Sequence, residues 1–313
     1  MRPASHDFLT GDLEVAARAA LAGGRALYRY YGDERSGPDV TDREAASRRA
    51  RLDVEEKAPG DPVTAADHAS NRAVLDLLSR RRPEDPVLSE ESRPPAAGER
   101  GGRLWVVDPL DGTKEFIGAI GEFAVMVGLA VDGRAVLGAV YRPDPGLLYL
   151  GRAGGGAWRA AVDAREVAGG GGALASLPFG PLAVDERAAG PVRLIHSRSH
   201  TPEGLERLEE AFGDRGIEGV PCGSVGVKVG VIAEGRADLY VHPVPYLKEW
   251  DTCAPEAVLR GAGGRVTDCL GRPLAYGKDR PGQPEGLLAA TPEVWTRALP
   301  IVRAMAPSTG DRD

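Results

Sequence analysis

The sequence predicts a layered α/β fold. Two patterns carry that prediction. Segments with apolar residues at helical spacing alternate with short apolar runs bounded by turn residues, and the alternation is present in both halves of the chain. The chain has 313 residues, enough for one large domain or two fused halves. The halves are placed at 1–165 and 190–313, with the Gly- and Ala-rich stretch 154–191 as the boundary.

The first predicted element is a helix over 10–31. Leu13, Ala16, Ala17, Ala20, Gly24, Leu27, Tyr28 and Tyr31 fall on one face. Residues 33–60 are mixed in charge and poor in apolar side chains. They read as a loop or hairpin in which only 52–57 looks strand-like. A second helix follows Thr64, a suitable N-cap with Asp67 three residues on in a capping-box relation. Strands are expected over 86–89 and 104–108. A meander follows, with 123–131 and 134–142 flanking Asp132-Gly133, and Pro143-Asp144-Pro145-Gly146 turning the chain into 147–152. In the second half, strands are expected at 192–197, 237–241 and 287–290. Helices are expected at 202–212, 224–234, from Asp251 to Gly263-Gly264, and at 292–305.

Composition narrows the function. Hydrophobic residues make up 42% and charged residues 27%, and no apolar run approaches the roughly 20 residues that span a bilayer. The net charge of −7 disfavours nucleic acid as a partner. Cys222, Cys253 and Cys269 are odd in number and show no C-x-x-C spacing, which fits reduced thiols. The N-terminus has no apolar signal segment, so a cytoplasmic location is expected, with no integral membrane association.

The strongest local signal is Trp105-Val106-Val107-Asp108-Pro109-Leu110-Asp111-Gly112-Thr113. An apolar strand ends in aspartate, proline forces a turn, and a second aspartate follows. This can aim Asp108, Asp111 and the Leu110 carbonyl at one point, an oxygen donor set suited to magnesium. A helix opening after Gly112 offers N–H groups to phosphate. Three further segments place carboxylates at strand or helix ends: Ser89-Glu90-Glu91-Ser92, Asp61-Pro62-Val63-Thr64-Ala65-Ala66-Asp67, and Glu249-Trp250-Asp251-Thr252. Each alone is an ordinary turn or cap; their combination is what carries information. Two metals about 3.5–4 Å apart would clamp the attacking and leaving oxygens of a phosphoryl group.

These motifs resemble the inositol monophosphatase superfamily of lithium-sensitive, magnesium-dependent phosphatases, over nearly the whole chain. The resemblance implies a five-layered αβαβα sugar-phosphatase fold with two or three Mg2+ per site. By analogy, Glu90, Asp108 and the Leu110 carbonyl hold the first metal, and Asp108, Asp111 and Asp251 the second. Asp67 and Thr113 activate the attacking water. Gly112-Thr113-Lys114-Glu115-Phe116-Ile117, Gly121-Glu122-Phe123, Ser197-Arg198-Ser199-His200 and Ala233-Glu234-Gly235 resemble the 3′(2′),5′-bisphosphate nucleotidase branch. That branch hydrolyses 3′-phosphoadenosine 5′-phosphate (PAP), formed in sulfate assimilation, to AMP and phosphate. The implied substrate contacts are Gly112, Thr113, Ser197, Ser199, His200, Ser224 and Lys228. Val225 and His242 stand where that branch commonly has serine and arginine, which resembles a subgroup also acting on sugar and inositol phosphates. The alternatives are therefore an inositol or fructose-1,6-bisphosphate phosphatase and, in another class, a non-catalytic magnesium-binding partner protein. The expected partner is a small-molecule phosphate ester, and the resemblance is compatible with a homodimer.

Overall fold

The computed structural model describes residues 8–31, 50–58, 61–100, 102–167, 172–186, 190–198 and 205–305. In chain order the elements are α1 (Gly11–Tyr31), β1 (Glu55–Ala58), β2 (Asp61–Val63), α2 (Ala65–Arg81), β3 (Val87–Ser89), β4 (Arg103–Asp111), α3 (Thr113–Ile117), β5 (Ala124–Val131), β6 (Arg134–Arg142), β7 (Leu147–Arg152), β8 (Gly156–Ala161), α4 (Gly172–Ala175) and β9 (Gly180–Leu182). Then follow β10 (Val192–His196), α5 (Leu205–Ala211), β11 (Ile217–Pro221), α6 (Val225–Ala233), β12 (Leu239–His242), α7 (Glu249–Gly261), β13 (Arg265–Thr267), β14 (Leu287–Ala290) and α8 (Pro292–Met305).

Strands β3 to β9 form a seven-stranded sheet in sequence order, and a five-stranded sheet has the order β11-β10-β12-β14-β13. Helices α1 and α2 cover one face of the large sheet, and α7 lies along the other beside α6. The small sheet follows, and α5 and α8 pack against each other outside it. The result is the expected αβαβα sandwich.

The central strands read as nearly continuous apolar runs because both of their faces are buried. Trp105, Val107, Val125, Val127, Leu137, Ala139, Leu148 and Leu150 enter the core under α1. The alternating partners Leu104, Val106, Met126, Val140 and Tyr149 enter the core around α6 and α7. Gly128, Gly138 and Gly151 line the second face, and a Cβ at any of them would stand under 3 Å from atoms of α7. Their lack of a side chain lets α7 lie close on the sheet, and this contact carries the first turn of α7, with Asp251, to the end of β4.

The stretch 154–191 holds β8 and β9, which extend the large sheet, and β11 and β13 add to the small one. None of these four is among the strands expected from the sequence. The expected helix over 202–212 is found as Leu205–Ala211. Most of the expected 33–60 loop lies outside the described residues; its end forms the β1–β2 hairpin, with Glu55 opposite Val63.

Candidate active site

The site begins with an irregularity in β4. Asp108 pairs with Met126 and Asp111 with Ala124, so three steps along β4 match two along β5. Residues three apart on a regular strand face opposite ways. The extra residue of this bulge turns Asp111 back to the face of Asp108. Pro109, which lacks an N–H, sits inside the bulge. The Leu110 N–H donates to Asp108 Oδ1 at 2.9 Å, and Ser70 Oγ from α2 donates to the Pro109 carbonyl at 2.7 Å.

Parallel pairing of β3 with β4 sets Ser89 against Val107, which delivers Glu90 beside Asp108. The Glu90 N–H closes the ladder onto the Val107 carbonyl at 3.2 Å. From α2, Asn71 accepts from Ser89 Oγ at 2.7 Å and donates to Ser92 Oγ at 2.9 Å, fixing the turn that carries Glu90 and Glu91. Asp251 lies in the first turn of α7, where its carboxylate accepts the Lys248 N–H at 2.6 Å. One carboxylate oxygen from each of Asp108, Asp111 and Asp251 lies within 4.8 Å of the others.

This cluster is short of positive charge. Burial, and then the charges of neighbouring acids, push the Asp108 and Asp251 carboxyls well above the usual carboxylate range. Burial pushes Glu90 up to about 7, against the opposing pull of Lys57. Lys57, on β1, reaches Glu90 at 2.8 Å and also contacts Glu91. Asp111 is held differently. Its Oδ2 accepts the Gly226 N–H at 2.7 Å and the Ser224 hydroxyl, and its Oδ1 accepts the Val225 N–H at 3.1 Å. All three donors belong to the start of α6, leaving a lone pair of Oδ1 for a cation. An all-oxygen set with uncompensated charge fits a hard divalent ion such as magnesium. Asp108, Asp111 and Asp251 would hold it, with Glu90 beside them.

Asp67 and Thr113 meet next to this cluster. Thr64 donates to Asp67 Oδ2 through its N–H at 2.8 Å and its hydroxyl at 2.6 Å, completing the expected capping box. Oδ1 stays open to Thr113 Oγ1 at 3.2 Å, and Thr113 Oγ1 lies equally near the Leu110 carbonyl. Burial pushes the Asp67 carboxyl up to about 6, against the pull of its Thr64 donors.

The remaining expected residues fall out unevenly. Gly112 has φ +91°, and a Cβ there would stand 2.8 Å from the Glu122 carbonyl, so the turn into α3 requires glycine. That helix is only five residues long. Ser224 directs its hydroxyl to Asp111 and caps α6 through the Val227 N–H at 3.0 Å. Lys228 is 3% exposed, and its ammonium donates to the Gly223 and Ser224 carbonyls at 2.9 and 3.1 Å. Ser197 is half-buried at the end of β10. Ser199 and His200 lie outside the described residues. Sequence reasoning gave no role to Ser70, Asn71, Lys57 or Glu91. Their contacts join residues 18 to 39 positions apart, and no local spacing encodes them.

Comparison with known proteins fits this geometry. The family model described as the inositol monophosphatase family matches residues 32–299. The chain belongs to the inositol monophosphatase family. It is 37% identical over 226 residues to the 3′(2′),5′-bisphosphate nucleotidase CysQ of Escherichia coli K12, covering 72% of this chain and 83% of that one. It is 32% identical over 298 residues to an inositol-1-monophosphatase of Mesorhizobium japonicum, covering 92% and 94%. The crystal structure of CysQ from Bacteroides thetaiotaomicron, at 31% identity, superposes with a TM-score of 0.70 over 90% of this chain and 97% of that one. Among the described residues no helix is long and apolar enough to cross a membrane.

Proposed function

We propose that this chain is a magnesium-dependent phosphomonoesterase that removes the 3′-phosphate of PAP, giving AMP and inorganic phosphate. The observation that carries the reaction class is the convergence of Asp108, Asp111 and Asp251 beside the Thr113–Asp67 pair. The likeness to CysQ supports the substrate.

Bound divalent ions would acidify an attacking water and neutralise charge on the phosphoryl oxygens and the leaving alkoxide. The chain's own residues supply the proton path. With the Thr64 donors fixing Oδ2, Asp67 turns Oδ1 to the Thr113 hydroxyl. A threonine that donates to Asp67 has its lone pair free to accept from water, and the proton moves toward Asp67 as the water attacks phosphorus. An Asp67 carboxyl near 6 is largely ionised at neutral pH, as an acceptor must be. No covalent nucleophile is required.

A second reading is hydrolysis of inositol or sugar phosphates. It is favoured by the M. japonicum relative and by Lys228, whose ammonium is engaged by two carbonyls. The test is phosphate release from PAP, inositol 1-phosphate and fructose 1,6-bisphosphate, with magnesium, with EDTA, and with added lithium. The proposal expects PAP as the best substrate, no release in EDTA, and inhibition by lithium. Higher kcat/KM on inositol 1-phosphate would favour the second reading. No release from any ester would leave a magnesium-binding partner protein.

A further inference from the structure

Glu122 lies on the segment between α3 and β5, outside every role assigned above. Its Oε2 accepts Arg198 Nε at 2.7 Å and the Gly223 N–H at 2.6 Å, and its Oε1 accepts Arg198 Nη2. Burial raises its carboxyl, but Arg198 and the Gly223 N–H outweigh burial, so the net shift is downward and the group is a carboxylate at neutral pH. One side chain thus ties together the start of β5, the end of β10 and the turn before α6.

That turn is the one that holds Asp111. Ser224 has φ +42°, a positive value that costs a non-glycine residue free energy and persists only when its surroundings enforce it. The enforcing contacts are on both sides. Lys228 binds the Gly223 and Ser224 carbonyls from within α6, and Glu122 binds the Gly223 N–H from outside. A Cβ at Gly223 would stand 2.3 Å from the Glu115 side chain, which would have to move to admit it. Held in this way, Ser224 aims its hydroxyl at Asp111 while the Val225 and Gly226 N–H groups point at the same carboxylate.

We propose that Glu122 is a positioning residue of the metal centre: by holding the Gly223–Ser224 turn it fixes the three donors that orient Asp111. The proposal rests on the reading of Asp111 as a metal ligand. Release of the Gly223 N–H lets the strained turn relax toward ordinary φ. The Ser224 hydroxyl then leaves Asp111, and the carboxylate loses the orientation that aims its remaining lone pair at the cation.

The test is magnesium-binding calorimetry on the full chain, with thermal unfolding in EDTA as a separate readout of stability. Glu122→Ala removes all three contacts and should raise the magnesium Kd about ten-fold, the scale of the one hydrogen bond, to the Gly223 N–H, that reaches the turn. Glu122→Gln keeps an oxygen for the Gly223 N–H and should stay within about three-fold of wild type. Glu122→Asp keeps the charge but withdraws it from Gly223; it should behave like the alanine variant and replaces it if that variant does not fold. In the Glu122→Ala/Ser224→Ala double variant the loss should not exceed that of the larger single variant, because both act through one turn. An unchanged Kd in Glu122→Ala with a lowered melting temperature would make Glu122 merely structural and overturn the proposal. So would additive losses in the double variant. Absence of magnesium binding by wild type would instead overturn the underlying reading of the metal centre.

Discussion

Asp251 and Lys228 lie on consecutive helices of the central layer, both near the same turn, and their charges are treated in opposite ways. Lys228 is satisfied from within: its ammonium donates to two backbone carbonyls, lies over the Tyr240 ring at 5.1 Å, and still has its pKa lowered by burial. Asp251 accepts one backbone N–H, and burial first, then the charges of Asp111 and Glu90, raise its pKa. On the proposed reading, the anionic charge at Asp251 is what a cation from solution would complete, while the buried ammonium of Lys228 is bonded to a turn. On that reading the acids are set to receive a metal, whereas the Lys228 ammonium contacts the backbone of its own turn.

The largest expected effect breaks the acidic side of this contrast. Asp251→Asn keeps the volume and removes one charge, and kcat should fall roughly 10³-fold, several kcal/mol of transition-state stabilisation at 1.4 kcal/mol per tenfold. In EDTA the same variant should melt no lower than wild type, because like-charge repulsion is relieved. A variant with near-wild-type turnover at saturating magnesium would remove Asp251 from the metal centre.

The pH dependence of the metal-free protein sharpens the same point. Asp67 is raised from its ordinary 3.8 to about 6, so the folded chain binds its proton more tightly than the unfolded chain does. That contribution to stability is full below about pH 4 and is lost as pH rises through 6. A pKa elevated to this extent corresponds to about 3 kcal/mol. Glu90, raised to about 7, extends the loss in the same direction. Urea unfolding in EDTA between pH 4 and 7 should show stability falling, and saturating magnesium should oppose the fall. Rising metal-free stability over this range would mean that these acids are compensated from within, as Lys228 is.

Thr113→Val tests the proton path beside the cluster. The side chain keeps its shape and loses its hydroxyl, and kcat should drop about 10²-fold while the magnesium Kd stays unchanged. A parallel loss of magnesium affinity would assign Thr113 to the metal centre instead.

Lys228→Met addresses the cationic side. Gly223 and Ser224 would lose their donor, a cost of about 1–3 kcal/mol in stability, and kcat/KM should fall alike on PAP and inositol 1-phosphate. A selective ten-fold loss on PAP would show that the ammonium leaves its carbonyls for a second phosphate, and the contrast with Asp251 would fail.

The sequence exposed the acids far better than it exposed their supports. Asp111, Glu90 and Asp251 stand at a strand end or a helix start, where local pattern marks both the element and its end; Asp108 closes the apolar run of β4, but the strand continues past it to Asp111. Thr64 and Asp67 form a capping box within four residues, legible for the same reason. The bulge was not legible, because it appears only when β4 is laid against β5. Nor was the brace at Glu122, whose partners lie 76 and 101 residues away. Among the elements, long helices and two-face-buried strands were found. The missed β9 and β13 have three residues each, and β8 and the edge strand β11 show no regular alternation of buried and exposed positions, too little apolar pattern to read. Lys228 shows the complementary difficulty: a lysine among valines looks the same in sequence whether it faces a ligand or its own backbone.

The most direct test of the metal centre is calorimetric titration of magnesium into EDTA-stripped wild type and Asp251→Asn at neutral pH. Saturable binding to wild type, and loss of at least one site or a large rise in Kd in the variant, are expected. Superimposable isotherms for the two proteins, or no binding to wild type, would contradict the account.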